Sequence, residues 1–136
     1  MNAFALKIVT PDGVIYDGAA EELVVRAVTG DLGIMAGHIN MVAPLGMGQA
    51  MVLADGKKHY GACIGGMVSV VNGAVTLVPT TFEWADSIDV ARAEVSKKRA
   101  QTVLQNKNAT DTEIALAEAR LKRALIRTSV ATYRSR

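Results

Sequence analysis

Cysteine is nearly absent from the chain: Cys63 stands alone among 136 residues. No intrachain disulfide can form, and a reducing compartment fits that usage best. Set between Ala62 and Ile64, the thiol reads as a small buried hydrophobe. Aromatic residues are also few, six in all, which leaves little for the stacking platforms that hold single-stranded nucleic acid. A formal net charge of +2 gives no electrostatic footprint for nucleic acid either. His38 and His59 are the only histidines, and neither has a second ligand at metal-binding spacing, so no metal site is expected. No serine, cysteine or paired carboxylates stand in a pattern that reads as a catalytic constellation. The opening MNAFALKIVTPDG lacks a basic lead and a long apolar core, so no secretory signal is expected. No run approaches the ~18 apolar residues of a membrane-spanning helix. An independent catalyst and an integral membrane protein are both disfavoured.

What is present divides near residue 84, into 1–84 and 85–136. From Ala3 to Val78 the chain reads as short β-branched or alternating runs between turn dipeptides. ALKIVT precedes Pro11-Asp12-Gly13, and VIYDG leads to EELVVRAVT. Asp55-Gly56 lies between AMVLA and KKHYGACI, and Asn72-Gly73 between MVSVV and AVTLV. Both dipeptides tolerate the positive φ angles of tight hairpin turns. Many short antiparallel strands imply a sandwich or a barrel. The segment GDLGIMAGHINMVAPLG, Gly30 to Gly46, does not match a phosphate loop, since no Gly-Lys-Ser/Thr follows. It is expected to be a turn-rich connection between strands, with Ile34, Met35 and Met41 available for packing.

After Trp84 glycine disappears and the helix formers Ala, Glu, Lys, Arg and Leu take over. Asp86 or Ser87 is expected to cap a first helix from about Ile88 to Gln105, with Asp89 near the positive end of its dipole. The stripe Ile88, Ala91, Val95 and Thr102 marks its expected apolar face. NKNAT breaks the pattern, and Thr110 to Glu113 reads as a capping box opening a second helix. Ile114, Ala117, Leu121, Ala124, Thr128 and Ala131 form a narrow, small-residue seam at heptad spacing. The two helices should pair as an antiparallel hairpin. Alanine seams bury little area, so the hairpin should be marginally stable and inclined to move. Arg120, Arg123, Arg127 and Arg134 form a basic stripe on the second helix, and Arg92 and Arg99 share a face of the first. Such a stripe is either solvated surface or a surface for acidic protein segments, phosphates or nucleic acid.

VTPDGVIYDG, GDLGIMAGHINMVAPL, GGMVSVVNGAVTLV, SIDVARAE and AEARLKRALIRTSVA occur in this order. Together they resemble the epsilon subunit of the bacterial F-type ATP synthase, over nearly the whole chain. The resemblance implies a flattened antiparallel sandwich of two five-stranded sheets followed by a two-helix hairpin. It implies a non-catalytic subunit of the central rotor stalk, bound to the gamma subunit and the c-subunit ring and helping to couple proton translocation to ATP synthesis. It implies a peripheral place at the cytoplasmic side of the cell membrane, held only through the complex. An extended hairpin would restrain ATP hydrolysis, its basic face meeting acidic segments of the catalytic alpha/beta head; Arg120, Arg123, Arg127 and Arg134 supply that charge. Asp31 and His38 become candidates for contacts with ring or gamma.

Some bacterial relatives bind ATP on the folded hairpin through Ile or Leu, Asp, two variable residues, Arg and Ala. The sequence carries Ile88, Asp89, Arg92 and Ala93 in that pattern, and Glu83, Arg99, Arg123 and Arg127 match the positions that complete the site. The resemblance thus implies regulatory ATP, with or without Mg2+, and no required cofactor; Trp84 stands immediately beside the site. The competing reading is a free-standing β-sandwich interaction module whose basic hairpin binds an anionic partner.

Overall fold

The computed structural model describes residues 2–134. Met1, Ser135 and Arg136, included in the spans 1–84 and 85–136, lie outside the described residues. The chain forms two compact units, Met1–Trp84 and Ala85–Arg136.

The first unit holds ten strands: β1 (Phe4–Thr10), β2 (Gly13–Ala20), β3 (Glu22–Ala27), β4 (Gly30–Met35), β5 (Met41–Pro44), β6 (Met47–Ala54), β7 (Lys57–Ile64), β8 (Met67–Val71), β9 (Ala74–Val78) and β10 (Thr81–Trp84). They make two five-stranded sheets, ordered β2-β1-β9-β8-β5 and β10-β7-β6-β3-β4. Alternation decides which face turns inward: Phe4, Leu6, Ile8 and Thr10 are buried along β1 while Ala5 and Lys7 are exposed. Leu6, Ile8, Val68, Val70 and Leu77 of one sheet join Leu23, Val25, Ile34 and Val52 of the other in one apolar core. Burial of these side chains is the main force holding the sheets face to face.

Both predicted hairpins form. Asp55 and Gly56 have φ of 52° and 72°, and Asn72 and Gly73 have 49° and 82°, so both central residues of each turn are left-handed, as a type I′ turn requires. Every strand pair is antiparallel except β1 with β9, where Leu6 faces Val75 and Ile8 faces Leu77 in parallel register. That pairing joins segments some seventy residues apart in sequence, and no local signal encodes it. The expected connection from Gly30 to Gly46 needs correcting too. Gly30–Met35 is a full strand, paired residue for residue with β3 from Ala27↔Gly30 to Glu22↔Met35. Met41–Pro44 is a second strand, paired with β8. Residues 36–40 form the open connection between these two strands. Its glycines masked the Leu32-Ile34 strand pattern, although Ile34 is completely buried and Met41 packs against the core.

In the second unit a short 3-10 turn (Ala85–Ser87) precedes α1 (Val90–Gln105) and α2 (Asp111–Ala131). The cap of α1 is Asp89 rather than Asp86 or Ser87: its Oδ1 accepts the Arg92 N–H at 3.0 Å. The helix therefore starts two residues later than Ile88. The Thr110 capping box is present, with Glu113 N–H donating to Thr110 Oγ1 at 3.1 Å and Glu113 Oε1 accepting from the Thr110 N–H. On α2, Ala117, Ala124 and Ala131 of the expected seam are buried. On α1 the expected stripe is displaced: Ala93 and Ala100 are buried, whereas Ala91 and Thr102 are exposed and Val95 is 48% exposed. Alanine seams let helix backbones approach closely, and that favours the Ala93–Ala100 face over one carrying bulkier Val95.

Candidate functional site

Two surfaces carry the candidate residues, one on each unit. On the sandwich, Asp31 stands opposite Arg26 across the β3–β4 pair, and Arg26 Nε donates to Asp31 Oδ1 at 2.7 Å. Both side chains are more than half exposed, so the pair adds little to stability. His38 lies past the other end of β4, its N–H donating to the Met35 carbonyl and its Nδ1 2.9 Å from the Ile39 carbonyl. About 13 Å of strand separates Asp31 from Met35. The structure does not gather Asp31 and His38 into one cluster. Around His38 the connection is tied to the β8–β9 turn by the Asn72 N–H donating to Asn40 Oδ1 at 2.8 Å. Ile39, Val42 and Val71 are exposed there, an apolar feature that the sequence reading missed.

Trp84 closes β10 in an aromatic cluster. Phe82 meets it edge-on at 4.8 Å between ring centres, and Tyr16 and His59 stand at 6.3 and 6.4 Å. Glu83, on the same strand, is half-buried opposite Ala62. Burial raises the Tyr16 phenol above its ordinary range, with the nearby Asp55 carboxylate adding to it. Burial alone pushes the Cys63 thiol up to about 12.

The hairpin is built from the Ile-Asp-x-x-Arg-Ala pattern upward. Ile88 and Ala93 are buried, so they pack, while Asp89 caps and Arg92 is exposed. Arg134, at the far end of α2, donates through Nη2 to the Ile88 carbonyl. This bond returns the end of the hairpin to its beginning and fixes the antiparallel sense. Arg99, Arg120 and Arg123 are exposed, and Arg127 is half-buried. Arg92 and Arg99 are seven residues apart, as are Arg120 and Arg127, so each pair shares a helix face. A groove of about 450 Å³ runs between α1 and α2, lined among others by Ser96, Arg99, Val103, Leu116 and Arg120. Of the residues expected to hold nucleotide, only Arg99 lines it. Arg120 enters it as well, although the sequence placed that residue only at a partner surface. Among the described residues no group of three His, Cys, Asp or Glu could hold a metal ion. Charge is split along the chain: residues 1–84 carry four basic and seven acidic side chains, and residues 85–136 carry eleven basic and six acidic.

The model of the ATP synthase delta/epsilon chain β-sandwich domain matches residues 3–85, and that of the delta/epsilon chain long α-helix domain matches residues 86–132. The chain is 45% identical over 131 residues to the ATP synthase epsilon chain of Bacillus velezensis, covering 96% of this chain and 98% of that one. It is 39% identical to the epsilon chain of Ruminococcus albus, with the same shares covered. Among solved structures, a chain in the cryo-EM structure of the Euglena gracilis mitochondrial ATP synthase (OSCP/F1/c-ring) has the same fold, with a TM-score of 0.83 at 21% identity over 96% of this chain and 82% of that one. A chain of the Tetrahymena thermophila central stalk/c-ring structure gives 0.60 at 12% identity, covering 93% and 95%. The chain belongs to the ATP synthase delta/epsilon family, as an epsilon subunit of the bacterial F-type enzyme. Among the described residues no helix is long and apolar enough to cross a membrane.

Proposed function

We propose that the chain is a rotor subunit that binds gamma and the c-ring through its sandwich and restrains ATP hydrolysis through its hairpin, in a manner set by ATP. The hairpin's seam carries the reading: Ala93, Ala100, Ala117 and Ala124 are buried. A buried methyl group contributes only about 0.8 kcal/mol, and the fully buried larger side chains, Ile88 and Val130, stand only at the start and end of the hairpin, so the middle of the seam holds α1 and α2 weakly. Separation would present the α2 arginines to acidic segments of the catalytic head, where charge complementarity favours docking. The complex, not the chain, would be the membrane-associated proton-translocating enzyme.

Nucleotide fits the closed hairpin. Arg92, Arg99, Arg123 and Arg127 offer guanidinium forks from both helices to phosphates, and Asp89 retains an oxygen beyond the one used by its cap. Ile88 and Ala93 would act by packing rather than by touching the ligand; any Mg2+ would arrive with the phosphates. A ligand that binds only the closed form stabilises it by about 2.7 kcal/mol at a hundred times its Kd, more than three seam methyl groups. Mixing the purified chain with gamma should give one complex on size exclusion, and separate elution would remove the stalk assignment. Calorimetric titration should show saturable ATP binding that Arg92→Ala weakens; no heat at millimolar ATP would remove the nucleotide reading.

A further inference from the structure

The exposed Arg26–Asp31 pair adds little to stability, yet the sandwich is built closely around it. It stands at the end of the sandwich where the chain twice crosses between sheets, at Leu45–Gly46 from β5 to β6 and at Gly65–Gly66 from β7 to β8. The crossings are bonded to each other, the Leu45 N–H donating to the Gly66 carbonyl at 2.8 Å and the Gly65 N–H to the Gly46 carbonyl at 3.0 Å. They are bonded to the end of β3 as well. The Gly46 N–H donates to the Arg26 carbonyl at 2.9 Å, and the Val28 N–H to the Pro44 carbonyl at 3.2 Å. The backbone under Arg26 is thus tied on several sides, and local opening there is costly. Its side chain lies against β6 at Gly48, where a Cβ would stand 2.5 Å from Arg26 Cβ and 3.0 Å from its Cγ. From that seat Nε reaches Asp31 Oδ1 at 2.7 Å. The bond uses one donor and one acceptor. Both Arg26 Nη groups and Asp31 Oδ2 have no partner among the described residues.

We propose that Arg26 and Gly48 are positioning residues for Asp31, and that the seated pair receives a main-chain peptide unit from a loop of the partner protein. The charges select that group. Arg26 and Asp31 already neutralise each other, so neither draws a charged side chain strongly. A peptide unit offers one acceptor and one donor, which match the Nη donors and the Oδ2 acceptor left over. Exposed Val28, two residues from Arg26, adds apolar surface beside them. Seating matters because a free arginine loses rotamer entropy when it docks, and one already held against Gly48 does not. Without a bare position at 48 the arginine stem would be pushed away from β6, and Asp31 would lose the bond that fixes its carboxylate. The inference deepens the reading of the sandwich as the partner-binding unit and rests on Asp31 being a contact residue.

Reassembly of the enzyme from the full chain and its other subunits tests this, read as the chain concentration that half-restores proton-coupled synthesis. Asp31→Ala should raise that concentration about fivefold, as loss of one net hydrogen bond implies. Arg26→Gln should raise it by a similar factor, and the two together by no more than Asp31→Ala alone, because the residues act as one unit. Both side chains are more than half exposed, so these variants should fold as wild type does. Gly48→Ala should act in the same direction. In the free chain it should also erase the Arg26 Nε–H resonance, which the bond to Asp31 shields from exchange. Gly61→Ala strains the sandwich against Phe82 instead and should leave the concentration within twofold. The Asp31→Ala effect should be the same at low and high salt, because a peptide unit carries no charge to screen. If Asp31→Ala acts and Arg26→Gln does not, or if their effects add, positioning is overturned and the contact reading of Asp31 stands. If Gly61→Ala acts as strongly as Gly48→Ala, the effect is stability and the role of Gly48 is overturned. An effect that vanishes at high salt overturns the peptide unit in favour of a charged group. No effect of Asp31→Ala overturns both the contact and its positioning.

Discussion

Replacing Thr110 with alanine should loosen the hairpin and leave the sandwich untouched. Thr110 Oγ1 accepts the Glu113 N–H at 3.1 Å and donates to Glu113 Oε1 at 3.0 Å, so the substitution removes both bonds of the Thr110 side chain and leaves only the bond from the Thr110 N–H to Glu113 Oε1. An N-cap of this kind is worth about 1 kcal/mol. Against a seam whose buried methyl groups contribute about 0.8 kcal/mol each, that is a large share. Local opening of α2 should become about fivefold more frequent. Native-state hydrogen exchange reads this directly: amides of residues 114–130 should exchange about fivefold faster, while those of Val25, Val52 and Leu77 keep their wild-type rates. Thr110→Ser should restore the slow rates, and saturating ATP should more than offset the loss. Equal acceleration in both units would show that they open as one, and unchanged α2 rates would show that capping does not limit the hairpin. Either result refutes the argument for an independently yielding hairpin.

Three further outcomes follow from the packing and charge. A Cβ added at Gly61 would sit 2.4 Å from Phe82 Cζ, so Gly61→Ala should cost about 1–3 kcal/mol in chemical denaturation, part of it recovered when Phe82→Leu is added. Burial raises Cys63 from 9.0 to about 12. The folded form therefore keeps a proton that the unfolded form releases, and the associated stability is full below pH 9 and lost as pH rises toward 12. Denaturation of Cys63→Ala should be flatter across that window, and a thiol reagent at pH 8 should react only on unfolding. Asp31→Arg breaks an exposed pair and places two arginines opposite one another, which should change stability by less than about 1 kcal/mol. A marked fall in proton-coupled synthesis by the reassembled enzyme would then place Asp31 at a partner surface, and unchanged coupling would leave it as ordinary surface.

What could be read from the sequence was local chemistry. Asp55-Gly56 and Asn72-Gly73 announced their turns because few other dipeptides accept two left-handed residues. Thr110 and Glu113 announced a helix start because the reciprocal bonds need those side chains three residues apart. The strand at Gly30–Met35 was obscured because glycine carries no side chain to report a face, leaving only Leu32 and Ile34. The start of α1 was misplaced by three competing cap residues, Asp86, Ser87 and Asp89, and the choice among them depends on the 3-10 turn before it. The seam of α1 was misjudged because apolarity favoured Val95, whereas close helix packing favoured Ala93 and Ala100. The parallel β1–β9 pair and the Arg99–Arg120 groove depend on residues far apart in sequence. At the candidate site, the spacing of Arg92 with Arg99 and of Arg120 with Arg127 was legible. Which arginines face each other across the hairpin was not.

Hydrolysis of ATP by the reassembled catalytic head is the measurement on which a regulatory hairpin stands or falls. Head and gamma should be combined with the full chain, or with a chain ending at Trp84 that keeps the sandwich and its core. Both chains should bind, and hydrolysis should be restrained only by the full chain. Equal hydrolysis with the two chains, both shown to be bound, would contradict a regulatory hairpin.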